Sequence, residues 1–237
     1  KMLYDNALLV CVYLEAYQVT QDNFYLQVVE DTLAYVLREM TSPEGGFYSA
    51  QDADSEGEEG KYFTWFPEEI EELLGEQDAA LFMRYYGVSP EGNFEHGRSI
   101  LHVENELADI ARVLQVSAGQ LLEVIERGQK VLLAARQQRI APERDDKILL
   151  AWNGLMISAM ARAYQVCGEE HYLKAAVVAA DFILENMVRD GQLLHTYKDG
   201  QARIAAFQDD YACLINGLLD LYEASFELRF FLAAEHW

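Results

Sequence analysis

Carboxylates, amides and aromatic rings recur together at three points of the sequence: Tyr4-Asp5-Asn6, Ala151-Trp152-Asn153 and Asp210-Tyr211-Ala212. Gathered in one place, they would suit a sugar. Aromatic faces stack on the ring, amides bind hydroxyls, and two carboxylates act as general acid and base across a reacting bond. Asp5, Asp146 and Asp210 are therefore candidate catalytic acids, with Tyr4, Asn6, Trp152, Asn153 and Tyr211 as binding residues around them. Trp65, in a short aromatic segment, is a further stacking candidate. Capping competes with chemistry at each acid or amide, because Asp and Asn at helix starts also satisfy free amide hydrogens.

The loop Gln51-Asp52-Ala53-Asp54-Ser55-Glu56-Gly57 opens like a calcium loop, but the twelfth position, which needs a bidentate Glu, is Phe63. A calcium hand is not expected on that ground; the segment reads as a solvated acidic loop or as one that places Asp52 or Asp54 at the mouth, a loop-borne catalytic alternative. The histidines His96, His102, His171, His195 and His236 form no ligand pair of the His-x-x-x-His kind, so no metal site is expected. His171 and His236 fall on outer-helix positions, whereas His96, His102 and His195 lie in loop or strand segments where a functional role is open. A Gly-rich phosphate loop, a Gly-x-Ser-x-Gly elbow and a catalytic cysteine setting are all missing, and no cofactor is expected.

The elements that must position these residues emerge from aligning the sequence with itself. An offset of 147 puts Asn6 on Asn153 and Tyr17 on Tyr164, and a further 58 puts Trp152 on Asp210 and Tyr164 on Tyr222. The repeated unit is a helical hairpin. Its first helix is apolar nearly all round (Ala7 to Leu14, Gly154 to Ala161, Tyr211 to Leu219), as expected of a helix buried on every side. Its second is amphipathic, with Tyr25, Val28, Val29, Thr32 and Val36 at helical spacing in the first copy. An inner ring of parallel helices wrapped by an outer ring, an α/α toroid, satisfies this alternation, and it would bring the three inner-helix starts to one mouth.

Between the first two copies, Pro67 to Leu74, Ala79 to Tyr86, Glu104 to Leu114 and a capped helix from Ser117 to about Arg139 are expected helices. Gly45 to Ser49, Lys61 to Trp65 and Leu193 to Ile204 read as short strands in loops.

Forty acidic against eighteen basic residues give a formal charge of -22, which repels phosphate backbones and argues against nucleic acid as a partner. No apolar run approaches the roughly 20 residues of a membrane-spanning helix, so no membrane partner is expected. Cys11, Cys167 and Cys213 stand apart in apolar stretches and read as buried, reduced residues of a cytoplasmic protein.

Several longer segments resemble one family. Lys1-Met2-Leu3-Tyr4-Asp5-Asn6-Ala7-Leu8, Gly45 to Ser55, Gly92-Asn93-Phe94-Glu95, Ile100-Leu101-His102, Arg144-Asp145-Asp146-Lys147 and Trp152-Asn153-Gly154-Leu155-Met156 are similar to the spermatogenesis-associated protein 20 family. The resemblance covers nearly the whole chain. Members resemble six-hairpin glycosidases and the N-acylglucosamine 2-epimerase group in their helical toroid, and they carry an N-terminal thioredoxin-like domain. The implied fold is all-α, a partial (α/α)6 toroid with short strands in its loops. Residues 1–237 would be one incomplete domain, without the thioredoxin-like domain or the last hairpins of the ring. Tyr48 and His102, inside matching segments, join the candidate binding residues. The implied function is that of a glycosidase- or epimerase-like carbohydrate-active enzyme taking a sugar-like ligand. The alternative is a non-catalytic ligand-binding or interaction module tethered to a redox domain. Ring edges left uncovered would favour self-association.

Overall fold

The computed structural model describes all residues, Lys1–Trp237. Along the chain come α1 (Leu3–Thr20), α2 (Asn23–Glu39) and β1 (Ala50–Gln51). There follow β2 (Asp54–Ser55), β3 (Glu58–Glu59), α3 (Pro67–Leu74), α4 (Glu76–Tyr85), α5 (Leu107–Leu114) and α6 (Ala118–Arg136). The last third holds β4 (Arg144–Asp145), β5 (Ile148–Leu149), α7 (Leu150–Cys167), α8 (Glu170–Asn186), β6 (Val188–Arg189), β7 (Gln192–Lys198), β8 (Gln201–Ala205), α9 (Gln208–Ser225) and α10 (Leu228–His236). The chain divides into two compact units, one of Lys1–Asp52 with Arg144–Trp237 and the other of Ala53–Glu143.

The first unit is three helical hairpins, α1/α2, α7/α8 and α9/α10. The helix boundaries reproduce the sequence offsets: α1 and α7 start at Leu3 and Leu150, and α9 at Gln208. The inner helices α1, α7 and α9 run parallel. Tyr4 meets Trp152 near the starts of α1 and α7, with ring centroids 4.8 Å apart, and Glu15 accepts from Arg162 farther along both helices at 2.7 Å. On the other side of α7, Ala151 bonds Asp210 and Ser158 bonds Asp220. Such an arc of parallel inner helices with antiparallel outer returns is the α/α toroid architecture.

Burial follows position in the arc. Helix α7, flanked by α1 and α9, buries eleven of its eighteen residues, while α1, with one inner neighbour, buries four of eighteen. On α1 the residues Leu8, Leu9 and Val12 are 49%, 51% and 60% exposed, in line with the expectation of uncovered ring edges. The core itself is formed by residues such as Leu14, Leu33, Met40, Phe47, Met156, Ile183 and Leu218.

Each inner helix ends the same way, on a residue in the left-handed region: Gln21 (φ 59°), Gly168 (φ 74°) and Phe226 (φ 57°), whose amides bond the carbonyls of Tyr17, Tyr164 and Tyr222. Only glycine adopts this conformation without strain. Phe226 is also 79% exposed. Replacing Phe226→Gly is expected to raise stability by about 1 kcal/mol, a gain of a few degrees in thermal unfolding. Phe226→Ala, which keeps the Cβ, should gain much less, so the pair of variants separates backbone relief from loss of the exposed ring.

The second unit packs α3 to α6 around Trp65, Ile70, Phe82, Leu121, Ile125 and Leu132. Ser117 accepts from the Gln120 amide at 3.1 Å, capping α6 as its sequence suggests. Helix α5 begins at Leu107, three residues later than expected, and α6 ends at Arg136.

Of the three expected strand segments, only Leu193 to Ile204 forms a hairpin, β7 with β8. The other two make only isolated bridges, Phe47 with Thr41 and Trp65 with Ser99, and side chains hold part of their backbone. In Gly45 to Ser49, the Phe47 amide and carbonyl are held by the Asn153 carboxamide at 2.8 and 3.0 Å, which leaves a single bridge to Thr41. In Lys61 to Trp65, the carbonyls of Lys61, Tyr62 and Thr64 accept from the Arg139 guanidinium at 3.3, 3.2 and 2.8 Å. No helix of the chain is long and apolar enough to cross a membrane. The cysteines are free and half-buried, not enclosed, and burial pushes all three thiols above the usual range.

Candidate functional site

The starts of α1, α7 and α9 come together at one end of the first unit, as the repeated Asp, Asn and aromatic residues require. Asn6 and Asn153 occupy matching places and make matching bonds, each amide nitrogen donating to the carbonyl four residues back, Met2 at 2.6 Å and Leu149 at 2.9 Å. Asn153 is fully buried and also clamps Phe47. All its bonds go to backbone, so it fixes the chain entering α7 and has no hydrogen left for a ligand.

Asp210 is the centre of this end. It is fully buried, and its carboxylate accepts from three groups: Oδ1 from the Ala151 amide at 3.0 Å, Oδ2 from the Phe207 amide at 2.9 Å and from His195 Nδ1 at 2.8 Å. One side chain thus caps α9, ties it to the first turn of α7 and orients a ring on β7. The negative charge sits near two helix N-termini, where the peptide dipoles favour it. A carboxylate only accepts, so the hydrogen of this contact rests on Nδ1 and the lone pair of the neutral ring rests on Nε2. The His195 side chain is 27% exposed, and its ring meets Phe207 edge to face at 5.0 Å.

The backbone beside His195 is strained. The ladder between β7 and β8 pairs Leu194 with Ala205 and Thr196 with Arg203, so Ile204 lies opposite His195. Ile204 has φ 65°. A β-branched residue in the left-handed region costs about 1 to 3 kcal/mol and occurs where surrounding structure enforces it.

The remaining candidate residues lie as follows. Asp5 is exposed and Tyr4 half-buried against Trp152. Asp146 accepts from Arg144 Nε at 2.6 Å, while the Arg144 guanidinium lies 4.1 Å from the Tyr48 ring centroid. Tyr211 is half-buried, 6.3 Å from Trp237 between ring centroids. Asp52 closes the first unit and Asp54 pairs with Glu59 in the second; both are exposed. Trp65 is a core residue of the second unit, 3% exposed beneath the Arg139 guanidinium at 3.9 Å. His102, also in the second unit, bonds Glu104 at 2.9 Å, and this bond raises its pKa. His195 is the side chain that the Asp210 carboxylate singles out and that the sequence leaves among several open histidines. Its one distinguishing signal is its place in the strand segment leading to Asp210.

An arc of parallel inner helices with its polar residues gathered at their starts defines an α/α toroid protein. Over the segment it spans, the chain is homologous to spermatogenesis-associated protein 20. It is 34% identical to Spermatogenesis-associated protein 20 of Homo sapiens and 36% identical to that of Rattus norvegicus, with 96% of this chain and 33% of each relative covered. The chain thus spans about a third of the length of the curated relatives it matches. No family model matches. Among solved structures, a D-mannose isomerase is similar at a TM-score of 0.41 and 14% identity, covering 100% of this chain and 57% of that one. The unsaturated glucuronyl hydrolase of Bacillus sp. GL1 is similar at 0.39 and 14%, covering 98% and 60%. Likeness at these scores carries no statement about activity.

Proposed function

We propose that this chain carries the acid and base centre of a carbohydrate-active protein, with His195 as the group that moves the proton and Asp210 as the residue that positions it. The observation that carries this reading is the bond from His195 Nδ1 to the buried Asp210 carboxylate. Fixing Nδ1 leaves Nε2 of a partly exposed ring to act as a base. The strained Ile204 opposite His195 adds support, since enforced backbone of this kind clusters at functional sites.

Hydrolysis by two carboxylates fits the same residues less well. It needs two accessible carboxyl groups about 5 to 9.5 Å apart across the glycosidic bond. Asp210 is enclosed with both oxygens engaged, Asp146 is paired with Arg144, and Asp54 belongs to the other unit. A single histidine suits aldose–ketose isomerisation, in which one group works on one face of the sugar. Nε2 takes the proton from the carbon beside the carbonyl of an open-chain sugar, leaving an enediolate; the hydroxyl proton passes between the two oxygens, and the imidazolium returns its proton to the neighbouring carbon on the same face.

Incubating the protein with a panel of aldoses in D2O tests this. Solvent deuterium should appear at the carbon beside the carbonyl, and His195→Gln should slow that exchange by about a hundredfold or more while far-UV circular dichroism stays unchanged. Exchange at the unaltered rate in His195→Gln would remove the assignment. Saturable sugar binding without any exchange would favour a non-catalytic ligand-binding module.

A further inference from the structure

The hairpin that carries His195 has a second face. Strands β5, β7 and β8 form one sheet in which Leu149 lies opposite Thr196, Thr196 opposite Arg203 and Lys198 opposite Gln201. Side chains alternate along a strand, so Thr196 and Lys198 project away from the face that holds His195 and Tyr197. A cavity of about 190 Å³ lies here, lined by Lys147, Thr196, Lys198, Asp199, Gln201 and Arg203.

Its charge runs against the composition of the chain. Acids outnumber bases forty to eighteen overall, yet three cations and one carboxylate line this cavity. Lys147 is shared with Asp145 at 2.9 Å. Lys198 takes part in no ion pair, and the Arg203 guanidinium donates to the neutral Gln201 Oε1 at 2.7 Å. The Thr196 hydroxyl is shielded from solvent and has no hydrogen-bond partner. A hydroxyl withdrawn from water without a partner costs about 1 to 3 kcal/mol, and of the three cations only Lys147 is paired with a carboxylate. One group answers both conditions: a small anion with several oxygens.

We propose that this cavity binds a tetrahedral oxyanion, a phosphate or sulfate group, through Lys147, Lys198, Arg203 and the Thr196 hydroxyl. Cations brought from β7, β8 and the residue just before β5 match an anion with oxygens in several directions better than a planar carboxylate with two. The guanidinium offers paired donors suited to such oxygens. The site lies on the opposite face of β7 from His195 and does not depend on the reading of that residue.

Titration of the full chain with inorganic phosphate, methyl phosphate and acetate, followed by amide NMR at a constant chloride concentration of about 0.15 M to screen surface attraction, provides the test. Phosphate should produce saturable shifts confined to residues 147 and 196 to 203, and acetate should not saturate. Arg203→Gln and Lys198→Gln should each weaken phosphate by about tenfold or more, as loss of a charge-assisted bond does, and Thr196→Val severalfold. Equal affinity for phosphate and methyl phosphate assigns a free ion, and tighter methyl phosphate assigns the phosphoryl group of a larger ligand; either supports the site. Shifts that do not saturate, that spread equally to Lys61 and Lys174, or that survive Arg203→Gln unchanged would overturn it.

Discussion

Gly154→Ala should destabilise the protein by about 3 kcal/mol, well beyond the usual effect of adding one methyl group. Helices α7 and α9 approach each other through glycine. A Cβ on Gly154 would stand 2.5 Å from the carbonyl of Cys213 and 2.7 Å from the Leu214 amide, and one on Gly217 would stand 2.4 Å from the Gly154 oxygen. These neighbours are backbone atoms in the middle of helices, so no side chain can swing aside and the helix axes must separate. Separation would strain the Ala151 to Asp210 and Ser158 to Asp220 bonds on the same interface. The intrinsic gain of about 1 kcal/mol for Ala over Gly in a helix interior only partly offsets this. Gly217→Ala should behave alike, and the double variant should lose less than the sum, because one displacement of the helices relieves both clashes. Gly119→Ala at the start of α6, where a Cβ meets nothing within 4 Å, is the control and should be neutral or slightly stabilising. Chemical denaturation of the four variants checks this; a Gly154→Ala midpoint within error of the parent would show that the helices can part freely.

Much of this arrangement is legible in the sequence, and the limits have physical causes. The hairpins are readable because each inner helix recurs with its end residues in register, Tyr17, Tyr164 and Tyr222 one turn before the left-handed stop. Parallel inner helices follow from that recurrence alone. The roles of Asn153 and Asp210 are not readable, because they are set by partners far along the chain: Phe47 is 106 positions from Asn153, and Ala151 is 59 from Asp210. An acid at a helix start looks the same from sequence whether it faces a ligand or folds back on amides. Burial distinguishes the two: Asp210 is fully enclosed, and the His195 ring bonded to it stays partly exposed. The missed strands teach a related lesson. Aromatic, β-branched segments can stop at a single bridge when turn bonds and a side chain such as Arg139 or Asn153 hold the rest of their backbone.

Asp210→Ala should cost about 2 to 4 kcal/mol and free His195 to rotate. Three hydrogen bonds end on this carboxylate. Truncation strands the buried Ala151 amide, at about 1 to 3 kcal/mol, and it removes the bond to the Phe207 amide that caps α9, worth about 1 kcal/mol. Asp210→Asn keeps the shape but not the pattern. Its carboxamide has one accepting oxygen, so an amide nitrogen must face either the Ala151 amide or the pair formed by the Phe207 amide and His195. At least one backbone donor loses its bond, and a loss of about 1 to 3 kcal/mol is expected. His195→Gln leaves both amide bonds intact and should cost far less stability. The two positions therefore separate structure from chemistry. Thermal unfolding should fall steeply for Asp210→Ala, moderately for Asp210→Asn and little for His195→Gln, while proton exchange per folded molecule should fall for all three. For Asp210→Asn, the loss of exchange should come with a changed pH profile, since a ring held by an amide need not keep its hydrogen on Nδ1. If Asp210→Asn exchanges at the parental rate with the parental pH profile and loses only stability, Asp210 is a cap alone and does not position His195.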